Sequence, residues 1–193
     1  MSSTWFRGIL AGLAGWILLV SSAQATVMIY WNTQQLSKRA QVVVQGTVVK
    51  QEVVQLDGHL WTDSHVRVQD SLRGAHARGT VVVVRQPGGQ TPLVGERVAG
   101  VATFSVGEEV LVLGRSVGQV VVPVGMCLGK YRVVRGSDGV RRVQRDLNGA
   151  TFAGYGRDGR FQLLHPHQPQ QQRLSDLVRV IRAASRSVKG GAR

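Results

Sequence analysis

The chain has 193 residues with 24 Lys and Arg against 11 Asp and Glu, a formal charge of +13, one Cys and 43% hydrophobic residues. That length suits one ordinary domain with a real core, and the hydrophobic fraction excludes a disordered chain. A single Cys excludes a disulfide scaffold. The 33 valines favour β-structure, because branched side chains suit a pleated, half-buried surface.

Residues 1–25 read as a secretory signal peptide: Arg7 supplies the positive start, Gly8 to Val20 is uncharged and mostly apolar, and Ala23-Gln24-Ala25 offers small residues for cleavage. The apolar run is short of the roughly 20 residues that a membrane-spanning helix needs. Retention as an anchor is the rival reading, because Val27 to Trp31 is again mostly apolar. No Cys follows the cleavage site, which disfavours a lipoprotein anchor. The expected location is periplasmic or extracellular, with a charge of +12 after cleavage and no transmembrane span.

A short helix is expected around Gln34–Arg39. Val42-Val43-Val44-Gln45-Gly46-Thr47-Val48-Val49 then opens a long strand, with Gly46 permitting a bulge. Asp57-Gly58 signals a hairpin into an alternating strand through Trp61, Ser64, Val66 and Val68. Arg73 to Gly79 is a polar turn. Four consecutive valines in Thr80–Arg85 suggest a strand covered on both faces, ended by Pro87-Gly88-Gly89. A loop-rich crossover through Gly95 and Gly100 follows, with Phe104 as a core plug. Strands are expected at Val110–Leu113, Gln119–Val124, Lys130–Arg135 and Val140–Arg145, the last two joined by an Asp138-Gly139 hairpin. Short strands at this spacing indicate a barrel or sandwich.

The β-barrel domain is therefore placed at 26–160, a Pro/Gln linker at 161–172 and a helix at 173–188. Ser175 is the expected N-cap; Leu177, Val178, Ile181 and Ala184 form an apolar stripe, and Arg179, Arg182 and Arg186 fall mainly outside it. Docking of that stripe on the barrel is the leading expectation, ahead of a helix lying on a membrane.

From Leu36 to Leu147 the chain resembles a family of uncharacterised exported bacterial proteins. The stretches that carry the likeness include Ala40–Val48, Thr62-Asp63-Ser64-His65-Val66-Arg67-Val68, Ser71-Leu72-Arg73-Gly74, Gly95–Gly100, Phe104–Leu111 and Leu128-Gly129-Lys130-Tyr131. It more distantly resembles the netrin-like domain of tissue inhibitors of metalloproteinases, through a strand like Val42-Val43-Val44-Gln45-Gly46, a long hairpin and a Leu72-Arg73-Gly74-like turn. That resemblance implies a mainly β, OB-like barrel, here with a short N-terminal helix and a C-terminal amphipathic helix. It does not imply metalloproteinase inhibition, whose zinc-chelating N-terminal Cys is missing: Thr26 would come first after cleavage, and no Cys precedes Cys127.

Catalytic chemistry is not nominated. Asp63 and His65 share a strand face with His59 nearby, but Ser64 points the other way, and no Gly-x-Ser-x-Gly elbow occurs. They read as solvated strand residues. His165 and His167 are too few for a structural metal site, Glu108-Glu109 is a charged turn, and Cys127 in its apolar neighbourhood is a buried structural thiol. No cofactor is implied.

Charge is more informative once located. Residues 26–128 hold nine basic and seven acidic residues, whereas 129–193 hold 14 and four. The candidate anion-binding surface is Lys130, Arg132, Arg135, Arg141, Arg142, Arg145, Arg157 and Arg160, interleaved with Tyr131, Phe152, Tyr155 and Phe161. The expected partner is an anionic envelope component or an acidic protein, ahead of specific nucleic acid. A GC-rich genome would also produce Arg in such excess over Lys. The sequence thus reads as an exported, non-enzymatic binding module; the alternative is a secreted enzyme or inhibitor with a loop-built site. Mass measurement of the exported form is expected to give a chain starting at Thr26, and a start at Met1 would refute cleavage.

Overall fold

A computed structural model describes residues 27–147, 150–156, 159–164 and 171–190. Residues 1–25, the expected signal peptide, and Arg157, His165 and His167 lie outside the described residues. The chain is mainly β, with two helices and sheets of up to eight strands among the described residues.

The elements begin with β1 (Val27–Ile29) and helix α1 (Thr33–Arg39), which has a reciprocal N-terminal cap. The Asn32 side chain accepts from the Gln35 amide at 2.9 Å, and the Gln35 side chain accepts from the Asn32 amide at 2.9 Å, satisfying two otherwise orphaned donors. Strands β2 (Val42–Leu56) and β3 (His59–Arg73) then form a hairpin of two 15-residue arms. Its turn is Asp57-Gly58, with φ of 51° and 81°, the left-handed pair that matches the twist of a two-residue hairpin.

Strand β4 (Val81–Pro87) pairs antiparallel with β3; β5 (Gly89–Gln90) and β6 (Gly95–Glu96) make a small separate ladder. Strands β7 (Glu109–Val117) and β8 (Val120–Pro123) form a hairpin, followed by a 3₁₀ turn at Met126–Gly129 and the hairpin of β9 (Lys130–Arg135) and β10 (Arg141–Gln144). Strands β11 (Thr151–Tyr155) and β12 (Phe161–Leu164) pair with each other, and β1 lies parallel to β11. The short β13 (Gln172–Arg173) leads into α2 (Leu174–Gly190).

The large sheet runs β13-β10-β9-β7-β2-β3-β4-β8, and β7 also pairs with β8. The β4–β8 pairing is parallel, with Val84 opposite Val121. Strand β2 serves two partners: residues 42–47 pair with β7, and nearly the whole strand pairs with β3. The register against β3 shifts between Gln45 and Gly46, the bulge that the mid-strand glycine suggests. A Cβ on Gly46 would collide with the Arg67 carbonyl and lie 2.8 Å from Val66 Cγ1, so a side chain has no room where the two backbones approach.

Several expectations need correction. The valines of β4 are not covered on both faces: Val82 and Val84 are buried while Val81 is exposed, since this strand turns only one face to the core. Phe161–Leu164, assigned to the linker, is a strand, because its backbone groups are satisfied by β11. Helix α2 begins at Leu174, so Ser175 sits inside its first turn.

The helix otherwise docks as its stripe implies. Leu174, Leu177, Ile181 and Ala184 are buried, each large side chain contributing about 1.5–3 kcal/mol of transfer free energy. Arg73, at the end of β3, ties the two helices together. It donates to the Ser37 carbonyl at 2.6 Å and the Ala40 carbonyl at 2.5 Å at the end of α1, and to the Ser185 hydroxyl of α2. Phe104 is buried in the main core, as expected of a plug.

Gly46→Val is expected to destabilise the protein by about 2 kcal/mol or more, the range of overpacking in a site without slack. Denaturant unfolding at equilibrium checks this, with Gly58→Asn, in an open turn, as the near-neutral control.

Candidate functional site

Of the eight basic residues expected to form one surface, the seven that are described separate into three groups. Lys130 and Arg145 are internal, 2% and 5% exposed, which overturns their place on a surface. Lys130 starts β9 with its side chain on the core face, where Nζ donates to Glu108 Oε1 at 2.5 Å and to the Thr103 carbonyl at 2.6 Å. Its ammonium also lies 5.0 Å from the Phe104 ring centroid. Burial lowers the Lys130 pKa, and the Glu108 carboxylate opposes that shift. Glu108, expected as a turn charge, is nearly buried and also accepts from Arg132 Nε at 2.7 Å.

Arg145 lies over the Tyr131 ring, 4.4 Å from its centroid, and donates through Nη2 to the Tyr131 hydroxyl and to Thr33 Oγ1. Thr33 Oγ1 and the Tyr131 hydroxyl are themselves 2.9 Å apart. This cluster connects α1 to β9 and the segment after β10. It is an internal brace, out of reach of a macromolecular partner.

Arg132, Arg141 and Arg142 form the second group, at the surface but ion-paired. Arg141 Nη1 meets Glu109 Oε1 at 3.0 Å, and that oxygen also accepts from Gln45 at 2.7 Å. Arg142 binds Asp138 through two parallel bonds of 2.7 and 2.6 Å, which hold the Asp138 carboxyl well below the usual carboxylate range. Exposed pairs of this kind contribute little to stability.

Arg135 and Arg160 are exposed. Arg135 lines a groove of about 410 Å³ between β9–β10 and the start of α2, with Gln45, Asp70, Arg141, Ser175 and Val178. A second groove of about 340 Å³ shares Ser175 and Val178 and continues along α2 past Arg179, Arg182 and Arg186. The two form one track with five arginines along it. Asp70 lies on its wall, and Asp176 pairs with Arg179 at 3.3 Å. The helical arginines were visible in the sequence as the polar side of α2, but their alignment with Arg135 requires the packing of α2 beside β10.

The interleaved aromatics do not form a platform on this track. Tyr131 and Phe152 are buried, and Tyr155 and Phe161 stack edge-to-face on the separate β1-β11-β12 sheet, with ring centroids 5.5 Å apart.

The strand constellation at Asp63 is an ion-pair network. Asp63 is buried rather than solvated, because Arg85 covers it with two bonds of 2.7 and 2.6 Å. His65 meets Glu52 at 2.7 Å, and Glu52 also accepts from Lys50 at 2.6 Å; these partners lower the Glu52 pKa. His59 lies apart, 3.4 Å from Glu96. Ser64 faces the interior, where it accepts from Gln51 at 3.0 Å.

Cys127 is buried, and burial pushes its thiol up to about 11. Among the described residues no group of three His, Cys, Asp or Glu is placed to hold a metal ion, and no helix is long and apolar enough to cross a membrane. No protein-family model matches the chain, and no curated protein matches it either.

The division of the arginines is measurable. Lys130→Ala leaves the nearly buried Glu108 with Arg132 as its one cationic partner and is expected to cost about 3–5 kcal/mol. Arg135→Ala is expected to stay within about 0.5 kcal/mol, as for surface positions generally. Chemical denaturation of both variants checks the contrast.

Proposed function

We propose that this chain is an exported, non-enzymatic binding module that engages an anionic envelope component through the arginine track between β9–β10 and α2. The observation that carries this reading is the continuity of the two grooves at Ser175 and Val178, which aligns Arg135, Arg141, Arg179, Arg182 and Arg186. Several arginines at fixed spacing favour a ligand with repeated negative charge, since each contact is weak alone and screened by salt. The narrow grooves favour an extended chain over a flat surface.

The scaffold we propose is an OB-like barrel. Support comes from the pairings β2–β3, β3–β4, β4–β8, β8–β7 and β7–β2, which follow one another in a ring. The parallel β4–β8 step within otherwise antiparallel neighbours is the connection that a five-stranded Greek-key barrel requires. Export is supported by the charge, apolar run and small-residue pattern of residues 1–25.

The test is retention on an immobilised linear polyanion, heparin, with elution by salt. The Arg135→Ala/Arg182→Ala/Arg186→Ala variant is expected to elute at clearly lower salt than the parent, with about tenfold or greater loss of affinity at low ionic strength. Lys50→Ala, which removes an exposed charge elsewhere, is expected to elute close to the parent. Equal elution of the triple variant and the parent would overturn the assignment of this track.

A further inference from the structure

A second site lies inside the β-structure, away from the arginine track. The inward rows of β2, β3 and β4 change character along the strands. At one level Val48, Val66 and Val82 stand in register and are buried, as a core requires. Further along come Gln51, Ser64 and Val84, and then Val53, Thr62 and Gln86. At that polar end is a cavity of about 530 Å³, within the usual size of small-molecule sites. Its opposite wall is the loop from Arg97 to Phe104.

Two of the polar groups are already engaged: Gln51 Nε2 donates to Ser64 Oγ at 3.0 Å, and Thr62 Oγ1 donates to the Gly88 carbonyl at 2.8 Å. Gln86 differs. It is 4% exposed and lines the cavity, and its side-chain amide, open to the cavity rather than sealed in the core, makes no hydrogen bond to the described residues. An amide facing cavity space is free to pair with water or with a ligand that displaces it. The wall is held away rather than collapsed onto it. The Gly100 carbonyl accepts from the Cys127 amide at 3.0 Å, the Thr103 carbonyl accepts from Lys130, and the Glu96 carboxylate accepts from the Leu60 amide at 2.9 Å.

The lining specifies the occupant. Glu96 is engaged by the Leu60 amide and His59, and Arg97 is exposed at the rim, so the interior favours an uncharged group. Gln86 offers a carbonyl acceptor and an amide donor side by side, whose complement is another amide. Pro87, Val98, Val101 and Phe104 supply apolar wall around it. We infer that this cavity binds an uncharged amide flanked by small aliphatic groups, the chemistry of a short internal peptide segment, with Gln86 pairing to its backbone.

The test uses the whole chain labelled with ¹⁵N and titrated with N-acetyl-valyl-alanine methylamide, or with glucose as a polyhydroxylated comparator. The blocked peptide is expected to shift the Gln86 side-chain amide resonances with a dissociation constant of about 1 mM or tighter. Gln86→Leu is expected to weaken binding at least about tenfold while the variant stays folded by thermal unfolding, because the replacement is of similar size and removes only the cavity-facing amide. Gln86→Asn, which keeps an amide but withdraws it, serves as a second variant should the first misfold, and is expected to show the same loss. Unmoved Gln86 resonances at about 10 mM peptide, unchanged affinity in a folded Gln86 variant, or a stronger response to glucose than to the peptide would each overturn the proposal.

Discussion

The architecture depends on one close backbone contact, between Gly46 of β2 and the Arg67 carbonyl of β3. A strand that pairs with β7 over residues 42–47 and with β3 along most of its length must coil sharply. The bulge at Gln45–Gly46 supplies the local twist, and the missing side chain lets the two strands approach at that point. From it follow the positions of β7 and β9 on one side and β3 and β4 on the other. Arg73, at the far end of β3, then has both helices within reach. The arginine track beside α2 and the polar cavity of β2–β4 are thus placed by the two halves of the same strand.

Electrostatics in this protein are divided by depth. Lys130, Glu108 and Arg145 are largely compensated inside the core: Glu108 answers Lys130 and Arg132, and Arg145 rests on Tyr131 with one terminal nitrogen shared between two hydroxyls, while its Nε has no partner among the described residues. Removal of one partner from such a set leaves a charge without solvent or counterion, so these residues are bound to the fold rather than to a ligand. At the surface, arginines opposite Glu109, Asp138 and Asp176 remain hydrated and exchangeable, and these line or border the track.

The same depth argument explains how much was legible in sequence. The strands from Val42 to Val124 could be read because valine runs and Asp-Gly and Pro-Gly-Gly breaks are local signals. Gly46 announced its bulge, and the stripe of Leu177, Ile181 and Ala184 announced the docking of α2. Phe161–Leu164 was not legible: four residues beside a Pro/Gln segment become a strand only because β11 offers an edge. Asp63 looked solvated, since nothing local shows that Arg85, across the neighbouring strand, will close over it. Gln86 carried no signal, as its meaning lies in the empty space it faces.

Composition and local pattern determined that the chain would be strand-rich, that a basic excess would gather beyond residue 128, and that a helix would end it with an apolar face inward. These follow from side-chain shape and periodicity, which act over a few residues. Only the tertiary structure decided which charges face water, because burial is a property of what packs opposite. It took Lys130 and Arg145 out of the basic surface, brought Arg135 into line with Arg179, Arg182 and Arg186, and turned Gln86 toward a cavity. A charge count becomes a surface only after the chain has chosen its inside.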